Sequence, residues 1–332
     1  MEISISELNS LCGVDSAIHL ADYANVFNRK HDSAILCPSV HDFRSKFFRT
    51  PTQLNFRFRG IGHSMHGRSL PFPEQKLIST CNMNNVKVLD EYTLEVDCGV
   101  QVGALNTFLN QYYCRLPVIH SGGHGGPSVA GYFLAGGIGD HSPIFGGFWS
   151  NVEEILWRDF SEKKSCWYTQ SDPRFWEISG SGGRLAGFLE KLRIRFLSSS
   201  YASLQNMPTC FEVIPKSHPI EEPVVWWTIF CSDPYRRQLI NLMRTLAPSL
   251  TPFVSLVPPR QISIKKVNSY PDFLKCFDDP IFAVSIGGYL QGNRAKSAYQ
   301  TTLLIEEMCK TASPVLVPYS SSEFSVQSFD QL

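Results

Sequence analysis

Two histidines, His63 and His66, lie in a glycine-rich turn of this sequence. The turn follows an apolar and basic segment, and its glycines are Gly60, Gly62 and Gly67. Glycine has no Cβ and adopts positive φ angles readily, so the backbone N–H groups of such a turn can approach a phosphate closely. Histidine in the middle of such a turn is unusual for a nucleotide site. The combination predicts a cofactor that is held through an imidazole nitrogen as well as through its phosphates.

Two further glycine clusters follow the first. One is Ser121–Gly139, and ten glycines fall within the wider segment Gly122–Gly147. The other is Ser179–Phe188. Because no later part of the chain is so rich in glycine, the pattern indicates one large ligand wrapped by the N-terminal part. The alternative for the second cluster is a packed, turn-rich segment with no ligand.

Five sequence motifs over roughly residues 30–198 recur in the order and spacing of a known family. They are specific as a set, since any one of them alone is a weak signal. The motifs are Ala34–Ser39, Arg59–Ser64, Glu95–Val100, Ser128–Gly139 with Ser150–Val152, and Asp172–Trp176 with Gly182–Gly187. In these segments the chain resembles the FAD-binding domain of the vanillyl-alcohol oxidase and p-cresol methylhydroxylase family. Within that family it is most similar to cytokinin dehydrogenases.

The resemblance implies a bound FAD and gives the turn a role. His63 matches the histidine that in this family is often bonded to the 8α-methyl group of the isoalloxazine, so the resemblance implies an 8α-histidyl FAD. The alternatives are attachment through His66, a non-covalent pocket histidine, and a loop histidine that is hydrogen-bonded to backbone. Asn151 and Val152 would pair with the cofactor or simply begin a strand. The predicted cofactor-binding residues are Arg59, Gly60, Ile61, Gly62, His63, Ser64, His66, Gly67, Ser128, Val129, Gly131, Gly136, Gly139, Asn151 and Val152.

The catalytic aspartate of cytokinin dehydrogenases has no counterpart here. Its place falls near Gly123, and no carboxylate lies between Leu116 and Gly139. Histidine titrates near neutral pH, so His124, beside that place, is a candidate for the catalytic base, and Asp140 is another. The alternative for His124 is a loop histidine that is exposed to solvent or binds backbone. The alternative for Asp140 is a solvated turn aspartate.

Aromatic residues could line a substrate pocket, although such residues more often belong to the core. The candidates are Tyr132, Trp149, Trp226 and Trp227. Trp226 and Trp227 are neighbours in a predicted strand and therefore point to opposite faces. At most one of the two can face a flavin.

Composition places the chain among globular proteins and narrows its partners. Of its 332 residues, 43% are hydrophobic and 18% are charged, and the formal net charge is zero. This balance permits a packed core and argues against a nucleic-acid partner recruited by charge. The N-terminus has no secretory pattern, and no stretch is apolar enough to predict a membrane span. The ten cysteines are scattered without metal-ligand spacing, so we expect no metal site, reduced thiols and a cytoplasmic location.

Apolar periodicity and turn residues predict the elements that must position these side chains. The predicted strands are Ala34–Leu36, Phe56–Arg59, Val86–Leu89, Tyr92–Val96, Pro223–Phe230, Gln261–Lys266, Ile281–Gly287 and Val315–Tyr319. The predicted helices are Ser39–Phe48, Val102–Gln111, Tyr235–Leu246 and Arg294–Thr311. Residues 1–30 are expected to be rich in helix, and residues 116–150 to be mostly a functional loop.

These elements predict an α+β protein of two domains. Residues 1–200 are expected to form a two-subdomain FAD-binding domain of the p-cresol methylhydroxylase type. Residues 201–332 are expected to form a small α+β substrate domain, or cap, with two helices on an antiparallel sheet. Because relatives run well past Leu332, we expect this second domain to be reduced.

The resemblance implies an FAD-dependent oxidoreductase, an oxidase or dehydrogenase that removes a hydride from a C–H bond of a small alcohol, amine or related metabolite. Its partners would be a small-molecule substrate and an electron acceptor, oxygen or another, with no nucleic acid and no membrane. The missing aspartate and the shortened cap keep two alternatives open. One is a flavoenzyme of the same fold with other chemistry, such as a nicotinamide-fed reductase or an oxidative cyclase. The other is a non-catalytic flavin-binding relative.

Overall fold

The structure is a computed structural model. It describes residues 2–11, 19–22, 28–31, 33–37, 39–47, 56–65, 67–120, 125–198, 224–250, 254–256, 260–277, 280–290, 303–304, 307 and 316–318. Its strands are β1 Glu2–Ser4, β2 His19–Ala21, β3 Asn28–Lys30, β4 Ser33–Leu36, β5 Phe56–Arg59, β6 Lys76–Ser79, β7 Val86–Val88, β8 Thr93–Asp97, β9 Cys114–Arg115, β10 Val152–Asp159, β11 Lys164–Thr169, β12 Gly187–Arg195, β13 Leu197–Ser198, β14 Val224–Ser232, β15 Val254–Leu256, β16 Arg260–Ile264, β17 Ile281–Leu290 and β18 Leu316–Pro318. Its helices are α1 Ile5–Leu11, α2 Val40–Phe47, α3 Val102–Gln111, α4 Val129–Ala135, α5 Ser142–Phe145, α6 Pro173–Ile178 and α7 Asp233–Leu250.

Two sheets of different type dominate the N-terminal part. A four-stranded sheet has the order β1-β4-β6-β5, in which β4, β6 and β5 are parallel and β1 is antiparallel. A five-stranded sheet has the order β11-β10-β12-β8-β7 and is antiparallel throughout. The predicted strands Ala34–Leu36 and Phe56–Arg59 therefore belong to the first sheet, and Val86–Leu89 and Tyr92–Val96 to the second.

Local signals explain several element boundaries. Ser39 caps α2, because its Oγ accepts a hydrogen bond from the backbone N–H of Asp42 at 3.1 Å. Helix α3 has the predicted bounds, and its side chains at Val102, Leu105 and Leu109 are buried at helical spacing. The predicted strands Val86–Leu89 and Tyr92–Val96 correspond to β7 and β8, which pair antiparallel as a hairpin.

Outside α4 and α5, the described residues of 116–150 are mostly irregular, as predicted, but the prediction did not include these two helices. Ser128 caps α4, since its Oγ accepts from the Gly131 N–H at 3.2 Å, and Gly136 ends the helix with φ +77°. Glycine lowers helix propensity, so Gly131 inside α4 and the glycines around it concealed a helix that side-chain packing stabilises. The expectation of a helix-rich lead also needs correction, because α1 is accompanied there by the short strands β1, β2 and β3.

The C-terminal part is an antiparallel sheet with the order β15-β17-β14-β18, and β16 also pairs with β17. All four strands predicted in this part are present with shifted ends, and α7 is longer than predicted. Of the helix predicted over Arg294–Thr311, only residues 303–304 and 307 are described, and they are helical. The fold is α+β. The boundary predicted at residue 200 lies in 199–223, outside the described residues, and stays a prediction.

One apolar core joins the two parts. Phe230, Leu274 and Ala283 belong to the same buried cluster as the strands of the five-stranded sheet. Phe273 packs against Gly136 and Gly180 so closely that a Cβ at either glycine would lie within 2.7 Å of its ring. The sheet that follows residue 223 is thereby fixed against the N-terminal part. Among the described helices, none is long and apolar enough to cross a membrane.

Candidate functional site

A cavity of about 550 Å³ extends between the N-terminal sheets and the C-terminal sheet. Two parts of its lining have different origins. The loop wall comprises Arg57–Met65 and the cavity-facing residues of Ser128–Ala135. The sheet wall comprises Trp226, Thr228, Arg260, Ile262 and Ser285. A cavity of this volume is in the range that small molecules and cofactors occupy.

The His63 turn is fixed by contact between a glycine and a buried guanidinium. Arg59 is 3% exposed, and its Nη1 donates a hydrogen bond to Ser69 Oγ at 2.7 Å. Gly62 has φ +74°, and a Cβ there would lie 2.1 Å from Arg59 Nη2. Only glycine fits both this backbone angle and this close approach. The turn therefore holds Arg59 and His63 in a fixed relation at the cavity.

His63 is the first of three aromatic rings in edge-to-face contact beside the cavity. Its ring meets that of His120 edge to face, with centroids 4.9 Å apart, and His120 meets Tyr132 in the same way at 5.7 Å. Tyr132 is fixed in turn, because its hydroxyl donates to the Ile138 carbonyl at 2.6 Å. All of these residues line the cavity. Packing against His120 thus helps to orient the ring of His63.

The two predicted phosphate cradles differ in the N–H groups they offer. At the start of α4, the N–H of Val129 donates to Val100 O at 2.8 Å, and the N–H groups of Ala130 and Gly131 are also bonded within the chain. In the turn, no described residue accepts a hydrogen bond from the N–H groups of Ile61 and Ser64. An N–H group that a bound cofactor removes from water would require an acceptor, which a phosphate oxygen can supply. The turn, more than the start of α4, is therefore suited to a phosphate.

An aromatic group closes another side of the cavity. Phe58 of β5 and Phe188 of β12 stack with centroids 4.7 Å apart. Trp157 of β10 is 2% exposed, and its Nε1 has no hydrogen-bond partner among the described residues. A Cβ at Gly187 would lie 2.1 Å from the Trp157 ring. Sequence reasoning missed Trp157 and Phe188, and their positions in strands would not have distinguished them from core residues.

The charged side chains of the lining are all basic. They are Arg57, Arg59, Arg68 and Arg260, and the described lining contains no aspartate or glutamate. Ser64 Oγ is buried and has no hydrogen-bond partner among the described residues. Positive charge, unsatisfied donors and glycine backbone are what an anionic dinucleotide requires. The residues present therefore fit FAD.

The predicted site residues separate into those that reach the cavity and those that do not. Gly67 donates its N–H to the Asp22 carboxylate. Val129 and Val152 are buried in the core. Gly136 ends α4. Asn151 donates to the carbonyls of Phe145 and Gly147. His66 and His124 lie outside the described residues. The predicted cofactor residues that line the cavity are Arg59, Gly60, Ile61, Gly62, His63, Ser64, Ser128, Gly131 and Gly139.

Asp140 lies beside the cavity and not in its lining. Its side chain is 51% exposed and forms an ion pair with Arg260 of the sheet wall. Of the two neighbouring tryptophans, Trp226 lines the cavity and Trp227 is buried, as the alternation of a strand requires. Trp149 belongs to the core.

Cys98 also lines the cavity but is unsuited to nucleophilic chemistry. It is 1% exposed, and burial raises the pKa of its thiol well above the usual range, with a further contribution from the nearby Asp97. The thiol therefore stays protonated at neutral pH, and the thiolate is the reactive form.

Comparison with known proteins identifies the cofactor. Residues 47–156 match the family described as the FAD binding domain. This segment contains β5, the His63 turn and α4, which together provide the loop wall. This segment is similar to that family, and the match indicates that the cofactor is FAD. No curated protein sequence matches the chain.

Two solved structures are similar to the chain at a distance. One is a variant of Phl p 4, described as a glucose oxidase and pressurised with xenon: it is 20% identical, the match covers 86% of this chain and 51% of that one, and the TM-score is 0.43. The other is BBE-like protein 28 from Arabidopsis thaliana: it is 15% identical, the match covers 88% of this chain and 55% of that one, and the TM-score is 0.44. The chain spans about half the length of either protein.

Proposed function

We propose that the protein is an FAD-dependent oxidoreductase, an oxidase or dehydrogenase that removes a hydride from a C–H bond of a small alcohol, amine or related metabolite. The observation that carries the proposal is the single cavity lined by both the His63 turn and the sheet wall. A cofactor held at the turn would face side chains from a separate part of the chain, with room for a substrate. When bound, FAD supplies a two-electron acceptor for the hydride.

We further propose that His63 carries the flavin covalently. Three points support this: His63 matches the family's attachment residue, it lines the cavity, and packing against His120 orients its ring. The bond would replace one hydrogen of the 8α-methyl group and one of the imidazole. Both hydrogens, with their electrons, would pass to the electron acceptor, oxygen or another. Histidine-linked flavins have a higher potential, which favours hydride removal from weakly activated C–H bonds.

The other residues of the lining would bind and orient the cofactor and would exclude water from the cavity. The Ile61 and Ser64 N–H groups and the arginines of the loop wall would hold the pyrophosphate, and Trp157 would exclude water at the aromatic side. His124 and Asp140 remain proposals for the group that takes the substrate proton. Asp140 would first have to leave Arg260, to which it is paired.

Reduction of the flavin by substrate tests this function. The purified yellow protein is mixed anaerobically with a panel of small alcohols, amines and hydroxy acids, and the flavin absorbance is followed. An oxidase or dehydrogenase is bleached by members of the panel and not by a nicotinamide nucleotide alone. Bleaching by NADH or NADPH alone would contradict the proposal and support a reductase. Absence of bleaching by every reagent would support a non-catalytic flavin protein.

A further inference from the structure

Three side chains of the sheet wall form one row across three neighbouring strands. In the register of the sheet, Thr228 of β14 lies opposite Ser285 of β17, and Ser285 lies opposite Arg260 of β16. Residues directly opposite one another in antiparallel strands share a face, with Cβ atoms about 4.5–5.5 Å apart. All three line the cavity. The sheet thus presents two hydroxyls and a guanidinium in a line.

The rows on either side of this one are apolar. One contains Trp226 opposite Gly287. The other runs from Phe230 through Ala283 to Ile262. A sheet face that only packed against a core would continue the apolar pattern through the middle row. The polar row therefore indicates a polar group of a ligand at this position of the cavity.

The two hydroxyls are buried and only partly satisfied by each other. Thr228 is 7% exposed and Ser285 is 9% exposed, and their oxygens are 3.0 Å apart. That bond uses the proton of one hydroxyl. The second hydroxyl retains a proton and can donate it to a negatively charged oxygen in the cavity.

Arg260 already binds a carboxylate, that of Asp140, which comes from the segment after α4. Both side chains of this pair are half exposed, so a ligand can reach them. The planar guanidinium presents two parallel N–H groups that match the two oxygens of a carboxylate. Asp140 contacts the guanidinium through one oxygen, Oδ1 on Nη2, so a carboxylate ligand that engages both N–H groups could replace it.

We propose that this row, which we call the carboxylate row (Thr228, Ser285 and Arg260), binds the carboxylate of the substrate. The substrate is then a small carboxylic acid with an apolar body, which lies against Trp226 and Ile262. Its carboxylate replaces Asp140 on Arg260 and accepts a hydrogen bond from the hydroxyl whose proton is not used between Thr228 and Ser285. Asp140 acts as an internal competitor that holds Arg260 in the absence of substrate. The assignment rests on the proposed function, because it places the acid beside the flavin.

Calorimetric titration of the FAD-loaded protein with benzoate tests the carboxylate row, with benzamide as the neutral probe of the same shape. Benzoate is expected to bind, and Arg260→Gln to weaken it about tenfold or more, since a charge-assisted pair is lost. Arg260→Lys keeps the charge but not the fork, so we expect an intermediate loss. Asp140→Asn removes the competitor, so benzoate is expected to bind several-fold more tightly. Arg237→Gln is the matched control: this exposed arginine of α7 is outside the described lining, and the change should alter nothing.

The possible results separate this assignment from the proposed function. Equal affinity of benzoate for the wild type and Arg260→Lys or Arg260→Gln overturns the carboxylate row, and so does failure of benzoate to bind the wild type. Equal weakening of benzamide by Arg260→Gln would also overturn it, because the effect would then not depend on the carboxylate. If Arg260→Gln does not fold, as judged by thermal melting, Arg260→Lys and Asp140→Asn decide. Benzoate binding that behaves as expected in a protein that no substrate bleaches would leave the carboxylate row standing and remove the oxidoreductase proposal.

Discussion

The loop wall and the sheet wall enclose the same cavity but are built in different ways. The turn of the loop wall is one continuous segment, Arg57–Met65, whose shape depends on glycine and on the buried Arg59. The carboxylate row comes from three strands, and its two hydroxyl residues are 57 positions apart in the chain. A local motif can therefore reveal the first wall. The second exists only through strand register, and a slip of one residue would turn the row away from the cavity.

The largest effect is expected where the loop wall has no steric freedom. Gly62→Ala would strain a backbone with φ +74° and force the Arg59 guanidinium away from Ser69. We expect a loss of about 2–4 kcal/mol in the free energy of unfolding and an FAD content at least tenfold lower. The flavin-to-protein absorbance ratio and urea unfolding measure both quantities.

Gly126→Ala is the control for the backbone angle alone. Gly126 has φ +66°, its nearest neighbour to an added Cβ is Gly103 N at 3.3 Å, and it is not part of the described lining. We expect the free energy of unfolding to fall by about 1 kcal/mol and the FAD content to be normal. If Gly62→Ala retained FAD as well as Gly126→Ala does, the close approach to Arg59 would not matter for the cofactor.

A second variant separates the two walls. Phe273 fixes the C-terminal part against Gly136 and Gly180, and its ring lies 5.4 Å from that of Phe230. Phe273→Ala should lower the free energy of unfolding by about 2–3 kcal/mol and weaken benzoate binding, because the sheet wall loses its support. FAD should remain bound, since the loop wall is unchanged. Phe273→Leu should cost less than about 1.5 kcal/mol. Loss of FAD together with benzoate would mean that the walls are not independent.

Alkaline pH should destabilise the fold through two buried thiols, Cys231 of β14 and Cys98. Burial raises the pKa of Cys231, in β14, to about 11, from an ordinary value of 9.0. The folded state holds this proton more tightly than the unfolded state, so the stabilisation is complete below pH 9 and is lost as the pH rises through about 11. We expect the free energy of unfolding to fall by about 1–3 kcal/mol over this range. Urea midpoints at pH 7, 9 and 10.5 measure it.

Alanine variants separate the contributions of the two thiols to the loss of stability at alkaline pH. Cys231→Ala should reduce the slope between pH 9 and 11, and Cys98→Ala should reduce it further, because burial raises the pKa of Cys98 as well. The comparison uses only the slope of the free energy of unfolding against pH. Each variant also leaves a small cavity, which lowers the free energy of unfolding at every pH. An unchanged slope in Cys231→Ala would contradict the assignment to that thiol.

The smallest effect concerns the cap of α4. Ser128→Ala removes the bond from the Gly131 N–H, and we expect a loss of about 1 kcal/mol in the free energy of unfolding. Ser128→Gly should cost only a few tenths of a kcal/mol. FAD content should be normal in both, because the turn and not the start of α4 offers its N–H groups to phosphate. A fall in the FAD content of Ser128→Ala would indicate that the start of α4, and not the turn, binds the phosphate.

What the sequence could predict follows the same division. The His63 turn, α3 and the hairpin of β7 and β8 were predictable, since glycine spacing, helical periodicity and turn residues act within a few positions. Helix α4 was missed because its stability comes from packing and not from propensity. Trp226 was correctly separated from Trp227 by strand alternation. Thr228, Ser285 and Trp157 were not predictable as site residues, because only tertiary register gives them the cavity as a neighbour.

The most direct test concerns His63, the proposed attachment residue of the flavin. The denatured wild-type protein is weighed by mass spectrometry, and the absorbance of the acid supernatant is recorded beside it, with His63→Ala treated in the same way. The account predicts a wild-type mass increased by that of FAD less two hydrogens and a colourless supernatant. It also predicts an unmodified His63→Ala chain that releases its flavin to the acid. An unmodified wild-type chain with a yellow supernatant, or FAD still attached to His63→Ala, would contradict the central role of His63.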